Sequence, residues 1–259
     1  MDITCVSAPS VRAQTEAPCW NRAPLKANPF AKLPLGAIKP KGWLKNQLEL
    51  MADGMTGRLH ELSNFLQEDT GWFGTDEQGW EEEPYWLRGF YDLAVLTERK
   101  DLYKEAHRWI DTVLNSQDED GYFGASMHKS HAGEGGLQSC DLWPHMIMLD
   151  ALRHHWEYTG DQRVEKLMTR FFDFCRNIPN ASFIPHRYDF FDWKIHVQAN
   201  RAGDMLPHLY WFFNKTGDAQ LLDLADRFYQ RITPPNTEWR DQHIVNFTQR
   251  FAYPAIYYQ

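Results

Sequence analysis

The chain has 259 residues, 43% of them hydrophobic, which is enough to bury a large core and excludes a disordered protein. It carries 27 Lys and Arg against 35 Asp and Glu, so its formal net charge is -8 and a nucleic-acid partner is not expected. Its apolar runs all fall short of the ~18 residues of a membrane-spanning helix, so we expect no membrane partner.

Residues 1–33 are predicted to form an irregular N-terminal segment, because they are rich in Ala, Pro and small polar residues. They lack the apolar core of about 7–15 residues that a signal peptide needs, although Val11-Arg12-Ala13-Gln14 is similar to the tail of one. A secreted or periplasmic location is therefore a hypothesis. The cysteines lie far apart without a C-x-x-C pair, so neither a zinc ribbon nor a redox motif is predicted. They are Cys5, Cys19, Cys140 and Cys175.

The domain predicted for residues 34–259 begins with a helix from Gly42 to about Leu62, and helical hairpins follow. The turn Thr159-Gly160-Asp161 recurs as Thr216-Gly217-Asp218, and Thr97–Asp101 is a degenerate earlier copy. Glycine in such a turn supplies the left-handed residue that ends a helix, and aspartate can cap the helix that follows. On both sides of each turn, apolar residues recur at helical spacing and so share one face.

Each hairpin has an aromatic, apolar helix before its turn and a more charged helix after it, which predicts an inner and an outer layer. The hairpins repeat at about 60 residues, whereas tetratricopeptide solenoids repeat at about 34. We therefore predict an all-α fold, in which serial helical hairpins form part of an α/α toroid.

Long loops are predicted after the outer helices, so candidate chemistry should concentrate on one rim of the toroid. Strand-like alternation occurs only in short loop pieces near Phe183–Tyr188 and Ile195–Gln198. A last helix is predicted from about His243 to Gln259. The long loops are Gln117–Ser139, Asn177–Gly203 and Thr233–His243.

The first two rim segments contain three candidate residues, two of which also have a structural interpretation. Glu81 precedes a proline-started helix, so it either complements the helix dipole or hydrogen-bonds sugar hydroxyls. Trp86 could frame a sugar ring in the same segment. Asp120 is either a turn residue before Gly121 or a pocket residue.

The next rim segments precede inner helices, and the N-terminal ends of inner helices in a toroid face the central pocket. Asp141 could simply cap its helix, yet Asp141, Trp143 and His145 are expected to converge there. Arg201 and Asp204 either pair with each other or grip substrate hydroxyls or a carboxylate.

His243 begins the last helix, and it is either a satisfied structural residue or, because of its matched position in the series, a further candidate. The other histidines show no metal-ligand spacing. Several carboxylates in a tryptophan-rich bowl suit glycoside hydrolysis, which needs one acid of raised pKa and one ionised partner. The sequence contains no nucleophile elbow, phosphate loop or dinucleotide fingerprint.

Several strings occur in one order along the chain: Pro34–Leu44, Gly79-Trp80-Glu81 with Pro84–Leu87, Asp120–Gly124, Asp141–Pro144, Arg201–Asp204, His243 with Asn246, and Tyr253–Ala255. Together they resemble the β-L-arabinofuranosidase family, which is glycoside hydrolase family 127. This resemblance implies an (α/α)6 toroid, typically followed by β-sandwich domains, and exo-hydrolysis of plant-derived glycans. Trp86 and Trp143 would then stack on the sugar, and the charged candidates would bind hydroxyls or transfer protons.

The sequence departs from this family at the catalytic centre. In characterised relatives the nucleophile is a cysteine thiolate held on zinc, in a cluster with adjacent cysteines, and a separate glutamate is the acid/base. No Cys-Cys pair occurs here, so no catalytic or zinc residue is carried over, and zinc is expected only in a full-length family enzyme.

The hairpin count leads to a further hypothesis. About four units are visible where a closed ring takes about six, so we expect that a C-terminal half or a partner chain closes the toroid. The main prediction is an N-terminal glycosidase portion acting on terminal sugars, with β-L-arabinofuranosides as candidates. A polysaccharide lyase or uronic-acid hydrolase, in which Arg201 grips a uronate, and a non-catalytic carbohydrate-binding fragment stay open as alternatives.

Overall fold

The computed structural model describes residues 18–73, 79–132, 138–185, 193–232 and 243–259. The all-α prediction is confirmed, because helices dominate these ranges and the strands found there form only one two-residue antiparallel pair. No described helix has the length and apolarity needed to cross a lipid bilayer. The helices are α1 (Gly42–Asp53), α2 (Met55–Leu62), α3 (Glu82–Thr97), α4 (Lys100–Asn115), α5 (Trp143–Thr159), α6 (Gln162–Asn177), α7 (Trp193–Arg201), α8 (Leu206–Thr216), α9 (Gln220–Tyr229), α10 (Ile244–Arg250) and α11 (Tyr253–Tyr257), and the strands are β1 (His131–Ala132) and β2 (Gln138–Ser139).

Three hairpins, α3–α4, α5–α6 and α8–α9, form the inner and outer layers that the sequence predicts. Helix α5 packs between α3 and α8 in the inner layer, and α6 packs between α4 and α9 in the outer layer. Outer helices bury one stripe, as the spacing predicts, whereas inner helices are buried on most sides. The hairpins therefore form part of an (α/α)6 toroid, with the N-terminal ends of α3, α5 and α8 on one rim.

The Thr-Gly-Asp turns have the chemistry expected of them. Gly160 and Gly217 end their helices in the left-handed region, at φ 71° and 76°. Asp161 Oδ1 accepts a hydrogen bond from the backbone N–H two residues later, and Asp218 Oδ1 does the same. In the degenerate first copy Glu98 occupies the left-handed position at φ 57°.

Two long predicted helices are each broken in the structure. The first divides into α1 and α2 at Gly54, because an uninterrupted helix cannot continue through its backbone angles of φ -98° and ψ -147°. The last divides into α10 and α11, and Pro254 lies in the first turn of α11, where proline starts a helix rather than continuing one.

Two long predicted loops contain regular structure. Residues 193–201 of the segment Asn177–Gly203 form α7, so the strand-like alternation at Ile195–Gln198 is helical. The segment Gln117–Ser139 contains the β1–β2 pair. Residues 186–192 and 233–242 lie outside the described residues, and with them parts of the predicted Phe183–Tyr188 and Thr233–His243 segments.

Candidate functional site

Four of the predicted site residues lie together on the rim formed by the inner-helix N-terminal ends. Glu81 is the residue before α3, and Trp143 is the first residue of α5. Arg201 ends α7, and Asp204 lies in the 3-10 turn that leads into α8. We call these four residues, together with Tyr85, Asn246 and Tyr253, the head cluster.

The Glu81 carboxylate is fixed by two donors. Its Oε2 atom accepts a hydrogen bond from Trp143 Nε1 at 2.5 Å and one from Arg201 Nη1 at 3.1 Å. The side chain nevertheless keeps 27% of its surface exposed. Glu81 is therefore an oriented carboxylate at an open surface, which is the form in which a protein can accept hydrogen bonds from a bound molecule.

Arg201 links several elements of the cluster. Its guanidinium lies 4.4 Å from the centre of the Trp143 ring, and its Nε donates to Asn246 Oδ1 at 2.8 Å. Only 6% of Arg201 is exposed, so the charge is largely removed from water and is balanced by Glu81. Arg201 therefore holds α10 and the α5 end in register with Glu81.

The Trp143 ring packs against both Arg201 and Tyr85. It is fully buried, with Arg201 over its face and the Tyr85 ring against it at a centroid distance of 6.2 Å. With these contacts and no exposed surface, the Trp143 ring has no open face for the sugar stacking that the sequence predicts. The half-buried Tyr85 is the aromatic residue nearer the surface, and burial raises the pKa of its hydroxyl.

Asp204 is half-buried beside Arg201 and Tyr253, and burial raises the pKa of its carboxyl to about 6. The Tyr253 ring lies under the turn, where a Cβ atom on Gly203 would come within 2.3 Å of it. Glycine is therefore required at Gly203 for α11 to approach the Asp204 turn.

Asp141 is a positioning residue rather than a surface one. It is fully buried, and its Oδ2 accepts from Trp80 Nε1 at 2.7 Å while its Oδ1 accepts from the Trp143 backbone N–H at 3.0 Å. Leu142, not Asp141, is the residue directly before α5, so Asp141 accepts the first N–H of the helix from one position further out. Because Trp80 precedes Glu81, Asp141 fixes the two ends that carry Glu81 and Trp143.

Trp86 and His145 lie in the hydrophobic core, away from the head cluster. Trp86 is 7% exposed, stacks on Phe90 and donates its indole N–H to the Thr56 carbonyl. His145 is 1% exposed and lies among aromatic rings, and burial lowers its pKa to about 4. Helix phase explains Trp86, because residues 86 and 90 share a face that points inward.

Asp120 and His243 are exposed. Asp120 pairs with Lys129 and accepts the Tyr122 backbone N–H, which is the turn alternative. His243 precedes α10 without a side-chain capping bond.

Sequence reasoning missed Tyr85, Asn246 and Tyr253 as site residues. A signal for Tyr85 was present, because residues 81, 85 and 88 follow helical spacing and share a face. Asn246 and Tyr253 occur in the strings that resemble the family, but their place in the cluster depends on how α10 and α11 pack against α7 and α8.

The described residues do not provide a zinc site. Among them, no group of three or more His, Cys, Asp or Glu side chains is arranged to hold a metal ion. Cys140 and Cys175 are buried free thiols, and burial raises the pKa of both. We therefore derive no step through zinc for this part of the chain.

Among known protein families, residues 22–255 match the β-L-arabinofuranosidase, GH127 catalytic domain. This match covers most of the chain. The chain belongs to this family. A comparison with curated proteins and another with solved structures gave no match.

Membership confirms the family expected from the sequence strings, and it makes the chain a glycoside hydrolase domain with a carbohydrate substrate. The GH127 match includes all three inner helices and every residue of the head cluster.

Proposed function

We propose that the head cluster of this GH127 domain binds the terminal sugar of a plant-type glycan, with a β-L-arabinofuranoside as the substrate. Glu81 is the observation that carries the proposal. Its carboxylate is oriented by the Trp143 indole and the Arg201 guanidinium, yet the side chain stays partly exposed. An oriented carboxylate that reaches the surface can accept hydrogen bonds from sugar hydroxyls.

Asp204 is the group in the cluster that can exchange a proton near neutral pH. Glycoside hydrolysis needs a carboxylic acid of raised pKa beside an ionised carboxylate. The pKa of Asp204 is raised to about 6 because it is buried, and the Arg201 charge, which pairs with Glu81, also acts on Asp204. We propose that Asp204 exchanges protons with the bound sugar, and we assign no nucleophile.

The charge balance of Arg201 favours a neutral sugar over a uronate. Its guanidinium already donates to Glu81 and to Asn246 and is nearly buried. A uronate would have to displace Glu81 from this ion pair, which leaves one buried charge without its partner. Replacement Arg201→Ala should therefore weaken binding of neutral and charged sugars alike, and loss of selectivity for a uronate would instead support the lyase or uronic-acid hydrolase alternative.

The experiment compares hydrolysis and binding of 4-nitrophenyl β-L-arabinofuranoside by the protein and by two glutamate variants. Glu81→Gln removes the charge that faces the donors and should lower kcat/KM, or the affinity if no turnover occurs, by about tenfold to a hundredfold. Glu82→Gln is the matched control, because Glu82 is an exposed neighbour on the same turn, and it should change either value less than about twofold.

The outcomes separate the alternatives. Turnover that depends on Glu81 supports the proposal. Saturable binding without turnover, again dependent on Glu81, supports the non-catalytic carbohydrate-binding alternative. Binding or turnover that is equal in Glu81→Gln and Glu82→Gln contradicts the placement of the sugar at the head cluster.

A further inference from the structure

The two donors that orient Glu81 come from different helices. Trp143 is the first residue of α5, and Arg201 is the last residue of α7. Both donate to the same Glu81 oxygen, Oε2, at 2.5 Å and 3.1 Å. The direction of this carboxylate therefore depends on how the start of α5 and the end of α7 are placed relative to each other.

A buried glutamine joins these two helix ends. Gln198 lies on α7 and has no exposed surface. Its Oε1 atom accepts a hydrogen bond from the Leu142 backbone N–H at 3.1 Å. Leu142 directly precedes Trp143, and Gln198 lies three positions before Arg201, on the same face of α7. The hydrogen bond thus connects the neighbours of both Glu81 donors.

The Leu142 N–H needs an acceptor from outside its own helix. Leu142 is fully buried, and it is the residue directly before α5. A backbone N–H at this position has no carbonyl partner within the helix, and a buried donor without a partner is costly. The Gln198 oxygen supplies the acceptor from α7, so the start of α5 is bonded to α7 at this point.

The rest of the Gln198 amide makes no second polar contact in the described part of the chain. Its Nε2 atom is buried there without an acceptor. A buried amide that uses only one of its polar atoms stabilises a fold less than an apolar side chain of the same size. The bond from the Leu142 N–H is therefore the contribution that distinguishes glutamine from an apolar residue at this position.

Asp141 makes the corresponding connection on the other side of α5. Its carboxylate accepts the Trp80 indole N–H and the Trp143 backbone N–H, so it holds the start of α3 against the start of α5. Gln198 holds α7 against the same end of α5. The three helix ends that meet at Glu81 are thus joined in pairs by buried side-chain hydrogen bonds.

We propose that Gln198 is a positioning residue of the head cluster, which holds the Trp143 and Arg201 donors at the separation at which both reach Glu81. Because it is fully buried, Gln198 contacts no bound sugar and acts through the two donors. Its effect on sugar binding rests on the proposed function, whereas its effect on the hydrogen bond between Trp143 and Glu81 does not.

Nuclear magnetic resonance of the Trp143 indole N–H tests the positioning without any sugar. An indole proton donated to a carboxylate resonates downfield, and Trp143→Phe identifies the signal by its disappearance. Gln198→Met removes the acceptor and keeps the side-chain length, so the signal should move upfield, in the direction produced by Glu81→Gln. The matched control is Gln117→Met, because Gln117 is a half-buried glutamine that donates to two backbone carbonyls, one of them on the outer helix α6. It should leave the Trp143 signal unchanged.

An unchanged Trp143 signal in folded Gln198→Met overturns the proposal. A shift that extends to the core indoles of Trp86 and Trp109 also overturns it, because a general loosening of the fold would then be the cause. If Gln198→Met does not fold, Gln198→Asn takes its place, since it keeps an amide but is one methylene too short to reach the Leu142 N–H.

Sugar binding tests whether the positioning matters for function. For methyl β-L-arabinofuranoside, Gln198→Met should weaken the affinity by about tenfold, because small displacements of aligned groups have large effects. In the Glu81→Gln background the same change should weaken it by less than about twofold, because both substitutions act through one carboxylate. Equal losses in the two backgrounds overturn the proposal.

The two proposals fail in different ways. If Glu81→Gln weakens binding and folded Gln198→Met does not, the role of Gln198 is overturned and the proposed function stands. If Glu81→Gln itself leaves binding unchanged, the proposed function fails, and the Trp143 signal alone decides whether Gln198 positions the cluster.

Discussion

Three consecutive glutamates, Glu81, Glu82 and Glu83, have three different environments. Glu81 is oriented in the head cluster, Glu82 is exposed, and Glu83 is fully buried with a hydrogen bond from the Thr70 hydroxyl at 2.9 Å. The sequence places the three glutamates together at the start of a helix, which correctly predicts that they complement the helix dipole. It does not predict the different surroundings of their side chains. Helix phase places Glu83 on the buried face of α3 with Leu87 and Phe90, whereas its hydrogen bond to Thr70 depends on tertiary packing.

Burial raises the pKa of the Glu83 carboxyl well above its ordinary value, which favours its neutral form. We expect Glu83→Gln, a neutral replacement of similar shape, to change the free energy of unfolding at pH 7 by less than about 1 kcal/mol. Glu83→Ala should cost about 2–4 kcal/mol, because it leaves a cavity and an unpartnered Thr70 hydroxyl. Urea unfolding measures both, and equal losses in the two variants would contradict a buried neutral acid.

The raised pKa of Asp204 predicts that the stability of the protein depends on pH. Its pKa is about 6 in the folded protein and near 3.8 in the unfolded chain, so the folded state binds more protons between these values. The contribution to stability is therefore fully present below about pH 4 and is lost as the pH rises through 6, at most about 3 kcal/mol. Asp204→Asn should gain stability relative to wild type as the pH rises from 4 to 7.

Urea unfolding of wild type and Asp204→Asn at several pH values measures this difference directly, since all other groups titrate in both proteins. Asp223→Asn, at an exposed site on α9, is the control and should keep a constant difference from wild type. A difference for Asp204→Asn that does not vary with pH contradicts the raised pKa.

The hairpin turns are the elements that the sequence predicts best, because their chemistry is local. Thr159 and Thr216 each donate to the carbonyl four residues earlier, and the following glycine ends the helix in the left-handed region. The first copy has the same geometry with Glu98 in place of glycine. A repeat seen in the sequence was therefore enough to place all three turns.

Substitutions at the left-handed positions Gly160 and Glu98 should change the stability of the protein in opposite directions. Gly160→Ala adds a Cβ where the backbone has positive φ and should lower the free energy of unfolding by about 1–2 kcal/mol. Glu98→Gly relieves the same strain, so it should raise the urea midpoint even though the exposed pair with Lys39 is lost. A loss of stability in Glu98→Gly would contradict this account of the turn.

The elements that the sequence misses depend on tertiary packing. Gly54 breaks the first predicted helix, and α7 forms inside a segment predicted to be a loop. In α7, Gln198 is fully buried and its side-chain oxygen accepts the Leu142 backbone N–H at 3.1 Å, beside the α5 N-terminus. Glutamine is usually a surface residue, so nothing in the sequence indicated that Gln198 helps to position the site.

At the scale of the whole molecule, the order and layering of the hairpins follow from periodicity, and the family follows from motif strings. The site follows only in part, because its contacts join residues far apart in the chain. Glu81 and Arg201 are 120 positions apart and meet in one ion pair. Side chains chosen by motif alone, such as Trp86 and His145, proved to belong to the core that holds those ends in place.

The central claim is that a sugar binds where the N-terminal ends of α3, α5 and α8 meet. Hydrogen–deuterium exchange with and without methyl β-L-arabinofuranoside tests it most directly, because it reports the location of binding rather than its strength. We predict slower exchange together in residues 80–86, 141–147 and 200–208, and no change at the hairpin turns near residues 98, 160 and 217. Slower exchange confined to those turns, or none in the three head segments at saturating sugar, would contradict the claim.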